Sequence, residues 1–217
     1  MEKSAKENIF TKLFGGLKMG WLTVIIFALI AGIYTGAMLI IPATEGTSFR
    51  DIGITHECWL IFAFIIASNC KKNWESALKI FVFFLISQPV IFLIEVAFGY
   101  LSTDMAWYYL TGVWGITILM TLPGGLIAYY IKKQNVLGAI ILGLGCTIQA
   151  FLGVHYSIQM VSNFPSHLLT CIICFASLII MIFAIQKQNK YRALAFAIVI
   201  IISAVLVSYA VVNGLTL

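Results

Sequence analysis

Charge is what this chain has least of. Of its 217 residues only 13 are Lys or Arg and 8 are Asp or Glu, far below the share that clothes a soluble domain. Proline numbers four and histidine three, so neither a Pro-rich linker nor a His-rich metal tract is written here. The sequence has no HExxH or HxxxH pair, no G-x-S-x-G turn and no Gly-rich phosphate loop. Those absences remove common hydrolase and nucleotide-binding signatures. The five cysteines (Cys58, Cys70, Cys146, Cys171, Cys174) lie in or beside apolar runs, and none forms a spaced pair in a polar loop. They read as small apolar packing residues, and no cofactor is called for.

What the chain has in excess is hydrocarbon. Hydrophobic residues make up 62% of it, in runs of about twenty residues, the length that crosses a bilayer core. A transmembrane barrel would show short alternating segments instead. The expected fold is all-α: a polytopic membrane bundle of seven transmembrane helices at about 20–42, 52–70, 77–99, 107–131, 136–156, 167–186 and 192–214. The second span carries Thr55, His56 and Glu57 in its first turns, and it crosses only if those polar turns lie in the helix or at the interface. Before the membrane domain (20–217), residues 1–19 place Ile9, Phe10, Leu13, Phe14 and Leu17 at helical spacing opposite Lys6 and Lys12. That pattern fits an amphipathic segment lying on cytoplasmic headgroups, followed by an uncleaved first span.

The sparse charge is placed unevenly. Lys3, Lys6, Lys12, Lys18, Lys71, Lys72, Lys79, Lys132, Lys133, Lys187, Lys190 and Arg192 fall on one side of this layout, and Arg50 on the other. Basic loops stay cytoplasmic, which predicts the N-terminus inside, the C-terminus outside and an odd number of spans. The net charge of +5 then reflects contact with the lipid bilayer and not with nucleic acid. Aromatic residues Trp107–Tyr109 and Tyr129–Tyr130 bracket the fourth span as interfacial anchors. Abundant Ile and Lys, without sorting or lipidation motifs, fit a bacterial plasma membrane.

Two stretches echo each other. "KKNWESALKIFVFFLIS" from Lys71 and "KQNKYRALAFAIVIIIS" from Lys187 share Lys, Asn, Ala, Leu, Ile and Ser at one constant offset. That offset aligns spans one to three (20–99) with spans five to seven (136–214), leaving 107–131 as a linker helix. The topology fits a 3+1+3 parallel repeat, while identities beyond the quoted turns thin to roughly what two Ile/Leu-rich chains share by chance. The layout is similar to that of SWEET sugar transporters and their bacterial vitamin-precursor relatives, and its orientation resembles the latter. The resemblance implies a solute path between two three-helix halves. It rests on layout, since no family motif matches and Pro89 alone does not make the proline set of SWEETs.

Polar groups in hydrocarbon cost energy, so function is sought where they occur. In "LISQPVIFLIEV", Gln88 and Glu95 are seven residues apart on one helical face. Pro89 leaves the Leu85 carbonyl without its amide partner, which Gln88, Ser87 or a water could replace. "LGLGCTIQAFLG" sets Gly145, Gln149 and Gly153 on one stripe, suited to close helix packing with one interhelical hydrogen bond or to a ligand wall. In "TLPGG", Pro123, Gly124 and Gly125 weaken the fourth span and offer a hinge, as Pro89 does in the third.

Three classes of function fit. The first is a carrier of a small polar or zwitterionic solute, admitted past His56 and Trp59 and bound by Gln88, Glu95, Gln149 and Trp114 between rocking halves. The second is an outward-facing enzyme using a metal on His56, His155 and His167. The third is a membrane partner subunit, or a homo-oligomer, acting by protein contact. The carrier is the expectation carried forward.

Overall fold

The computed structural model describes residues 9–54 and 56–212, apart from the side chains of His56, Glu57, Ala210 and Val211. Within them every regular element is helical. After a short helix α1 (Ile9–Leu13) come α2 (Trp21–Ile40), α3 (Ser48–Ile54), α4 (His56–Asn69) and α5 (Asn73–Ala97). Then follow α6 (Thr103–Thr111), α7 (Val113–Ala128), α8 (Val136–Ser162), α9 (Leu168–Ile185) and α10 (Asn189–Val212). Six spans are long and apolar enough to cross a membrane: α2, α5, the α6–α7 run, α8, α9 and α10. A seventh exists if α3 and α4, bent by 47° at their junction, count as one. Chain composition and helix length thus make this a multi-pass membrane protein.

Local signals account for the helix ends. Glu75 accepts from the backbone of Lys71 and Lys72 at the start of α5. Ser102 caps α6 through the Met105 amide, and Asn135 caps α8 through the Gly138 amide. α8 runs six residues beyond the expected 156, through "SIQMVS", giving 27 residues and about 40 Å. Around the outside, Leu22, Ile33, Leu93, Ile116, Met120 and Ile201 are exposed, as lipid-facing side chains must be. Inside, Phe83, Ile66, Leu142, Met181 and Ile182 are sealed in one core.

Small residues let the backbones approach. A Cβ on Gly32 of α2 would lie 2.8 Å from the Ser87 carbonyl oxygen of α5, and one on Gly125 of α7 would lie 2.6 Å from Ala77 Cα. Those contacts pack α2 and α7 closely on different faces of α5.

The basic end is tied by side chains that serve open helix carbonyls. Lys79 donates to Met19 and Lys132 to Cys70. Gln186 donates to Ile131, and Arg192 to Gln186 and Phe183. Asn69 bonds the Leu13 carbonyl and the Leu17 amide, and Phe14 is buried. The described part of the amphipathic segment is therefore docked on the bundle as well as facing outward; Lys3 and Lys6 lie outside the described residues.

At the other end α3 is held across the bundle. Ser48 donates to the Ser166 carbonyl, Thr170 donates to Asp51, and His167 Nδ1 lies 2.6 Å from Asp51 Oδ2.

Candidate ligand cavity

The junction of α3 and α4 is where the site begins. Gly53, Ile54 and Thr55 are weak helix formers in sequence, and the helix breaks there. The Gly53 carbonyl accepts from Trp59 Nε1 at 3.0 Å and from Thr35 Oγ1 at 2.8 Å. Side chains from α4 and α2 thus supply the Gly53 carbonyl with what the next helical turn would have given.

Two adjoining chambers open at this break. The larger, about 480 Å³, lies between α4, α5, α7 and α8 and is lined by Trp59, Phe64, Phe84, Gln88, Trp114, Thr117, Thr121, Gly124, Gly125, Leu144 and Ile148, among others. The smaller, about 140 Å³, is bounded by Thr35, Gly53, Phe92 and Glu95. Ile54, Trp59, Gln88 and Trp114 line both and mark the passage between them.

Gln88 is buried, at 4% exposure, and its amide makes no hydrogen bond among the described residues. Glu95 is half-buried, and its carboxylate has neither a hydrogen bond nor an ion pair among them. Arg50 acts on it electrostatically but is paired with Glu45 at 3.8 Å. Trp59 is fixed by stacking on Phe84, with ring centroids 5.6 Å apart, and by its bond to Gly53. Trp114 makes no ring contact and no hydrogen bond among the described residues. The lining is otherwise almost wholly apolar.

The sequence brought four of its candidates to one place: Gln88, Glu95, Trp59 and Trp114. Gln149 stands elsewhere. It is fully buried in the packed interior of α8 and lines neither chamber. Its neighbours on the stripe show why, since a Cβ on Gly145 would strike the Phe64 ring and one on Gly153 the Phe175 ring. The side chain of His56 lies outside the described residues. Helix α5 runs unbroken through Pro89 and α7 through Pro123, Gly124 and Gly125; the irregular residue of the α6–α7 run is Gly112. Neither Ser87 nor Gln88 bonds the Leu85 carbonyl; Ser87 turns to Phe84 at 3.4 Å. Thr35, Phe84, Phe92, Thr117 and Thr121 were missed, because a hydroxyl or ring on an apolar span carries no signal of what faces it.

The two histidines with described side chains are engaged with neighbours. His155 lies 2.9 Å from Gln159 on its own helix, His167 pairs with Asp51, and both rings contact Tyr156. Among the described residues no group of three His, Cys, Asp or Glu side chains is placed to hold a metal.

No family model, curated protein or solved structure matches this chain. The expected likeness to SWEET-type carriers thus has no support from these comparisons. What the site does must be reasoned from its own chemistry.

Proposed function

We propose that this protein binds a small amphipathic molecule within the membrane and carries it across. The observation that bears most on this reading is Gln88, a buried amide with no bond among the described residues, set where an apolar chamber meets a smaller one holding a carboxylate. The amide faces the cavity and has no partner among the described residues, so it is free to bond a ligand's polar group at the passage. The sequence favoured a polar or zwitterionic solute. The apolar lining favours instead a molecule with a hydrophobic body and a polar head, and a volume of about 480 Å³ falls within the range of small-molecule pockets.

Helix pairing supports two rocking halves. In the first triplet α2 packs most closely on α5, and in the second α8 packs most closely on α10, so first and third helices are partners in both. Asn73 opens α5 and Asn189 opens α10, in register with the echo in the sequence. On this reading the basic end is cytoplasmic and α6–α7 links the halves. The break at α3–α4, which α9 lacks, is the specialised feature of the first half.

A thermal-shift screen of amphipathic metabolites on the purified chain tests the proposal. At least one class should raise the melting temperature of the wild type, and Gln88→Leu should abolish that rise. A screen in which nothing stabilises the wild type, or in which stabilisation survives Gln88→Leu, defeats it.

A further inference from the structure

The two chambers contain aromatic faces and a carboxylate but no cation. Elsewhere the protein's cations sit over aromatic rings at the basic end: Lys72 over Trp74, Lys79 over Trp21, Lys132 over Tyr129 and Arg192 over Phe183. Trp59 and Trp114, the rings of the passage, have no such partner among the described residues, and Glu95 beyond them has no ion pair there. Tryptophan faces together with a carboxylate in a place of low dielectric form the chemistry that recognises a positive charge. An anion would meet the carboxylate with repulsion. A strongly hydrated small cation would gain nothing from the larger chamber, which offers it almost only hydrocarbon.

The route of access fits the same ligand. Ile127 of α7 and Leu144 and Ile148 of α8 line the larger chamber and are also exposed, at 55%, 48% and 46%. These two helices touch only lightly. Gly124, on the same seam, has open space where a side chain would project. The chamber therefore opens sideways, between apolar side chains, toward the hydrocarbon and not toward a charged vestibule.

Resting on the binding role proposed above, we infer that the ligand is a lipophilic cation drawn from the bilayer. Its hydrophobic body occupies the larger chamber, and its positive charge is held beside the Trp59–Trp114 passage, in the field of Glu95 beyond it. Gln88 bonds whatever polar atom lies at the passage.

Tetraphenylphosphonium and tetraphenylborate have the same shape and opposite charge, which makes them the probes. Their equilibrium binding is measured on the full chain in nanodiscs of zwitterionic lipid, for the wild type, Glu95→Gln, Glu95→Asp and Gly124→Trp. The phosphonium should bind saturably and the borate should not. Glu95→Gln should weaken the phosphonium by about tenfold or more, as loss of one poorly solvated charge contact requires. Glu95→Asp, which keeps the charge, should restore most of the affinity, and Gly124→Trp should block the seam and remove binding.

Absence of saturable phosphonium binding overturns the inference, as does equal binding of the borate or an affinity indifferent to Glu95→Gln. If such charge-blind binding is still removed by Gly124→Trp, the chamber remains the ligand site and only the ligand's charge was misjudged. If binding survives Gly124→Trp, the seam and the chamber are both refuted as its place.

Discussion

Gln88 and Gln149 show how far a single residue can be read. Each is a glutamine in the middle of an apolar helix, and each carries the same warning that a polar group has been placed at a cost. One lies against a cavity and the other is packed in the interior. Sequence spacing gives the face of a helix but not what the neighbouring helix brings to that face. The replacement Gln88→Leu separates energy from function: it removes an amide that faces the cavity and has no partner among the described residues. The unliganded melting temperature should therefore hold or rise while ligand stabilisation disappears. A fall of the unliganded protein by several degrees would mean that Gln88 has a structural partner. Cys70 illustrates the opposite case, a polar group hidden by design. Burial pushes its thiol from 9.0 to about 11 against the pull of Lys79 and Lys132. Below pH 9 the thiol is protonated both folded and unfolded. Between those values only the unfolded chain ionises, so the contribution to stability is lost as pH rises through about 11. Brief iodoacetamide treatment at pH 8, followed by mass mapping, should leave Cys70 unmodified until the protein is denatured. Labelling at the rate of a free thiol would contradict its burial.

At the scale of the element, the apolar runs were legible because hydrocarbon length dictates them. Observed α5, α8, α9 and α10 fall on the expected spans to within a few residues at most ends. Two features were not legible. The second span bends by 47° where Gly53 and β-branched neighbours weaken it, and only the donors Trp59 and Thr35, from two different helices, make that bend affordable. The Pro-Gly-Gly stretch of α7 suggested a hinge; in this structure the helix continues through it, and Gly125 serves packing while Gly124 does not. Gly124 and Gly125 are adjacent and chemically identical but face different surroundings. Gly125→Ala forces a methyl to within 2.6 Å of Ala77 Cα, backbone that cannot step aside. Overpacking of this kind costs about 1–3 kcal/mol. Gly124→Ala meets nothing within 4 Å and should gain up to about 1 kcal/mol from helix propensity. Melting curves of the two variants in one detergent should thus shift in opposite directions. Equal shifts would mean that α7 does not dock on α5 by this face.

For the whole molecule the question is whether the chain crosses the bilayer six times or seven, and the bent pair α3–α4 decides it. Taken apart, α3 has 7 residues and α4 has 14, and neither reaches the roughly twenty that a crossing needs. Taken together, they run from the Ser166 contact of Ser48 at one end of the bundle to the Leu13 and Leu17 contacts of Asn69 at the other. Two ends anchored on opposite sides of a bundle argue for a crossing and against a re-entrant loop. The charge pattern requires the same parity. With seven spans Lys71, Lys132, Lys187 and their neighbours share a side with Lys12 and Lys18, whereas with six the basic residues on the two sides of α3–α4 would lie on opposite faces, against the bias of membrane insertion. A reporter joined after Leu217 in a bacterial host reads the outcome directly. Alkaline phosphatase, active only outside, should be active there, and green fluorescent protein, fluorescent only inside, should be dark. The same reporters placed after Lys133 should give the reverse pair. A fluorescent fusion after Leu217 would leave α3–α4 as a re-entrant pair. Six spans would put Ser48 and Ser166 on opposite faces, and Asn69 and Leu13 likewise, so that outcome would also refute the two contacts that anchor the pair.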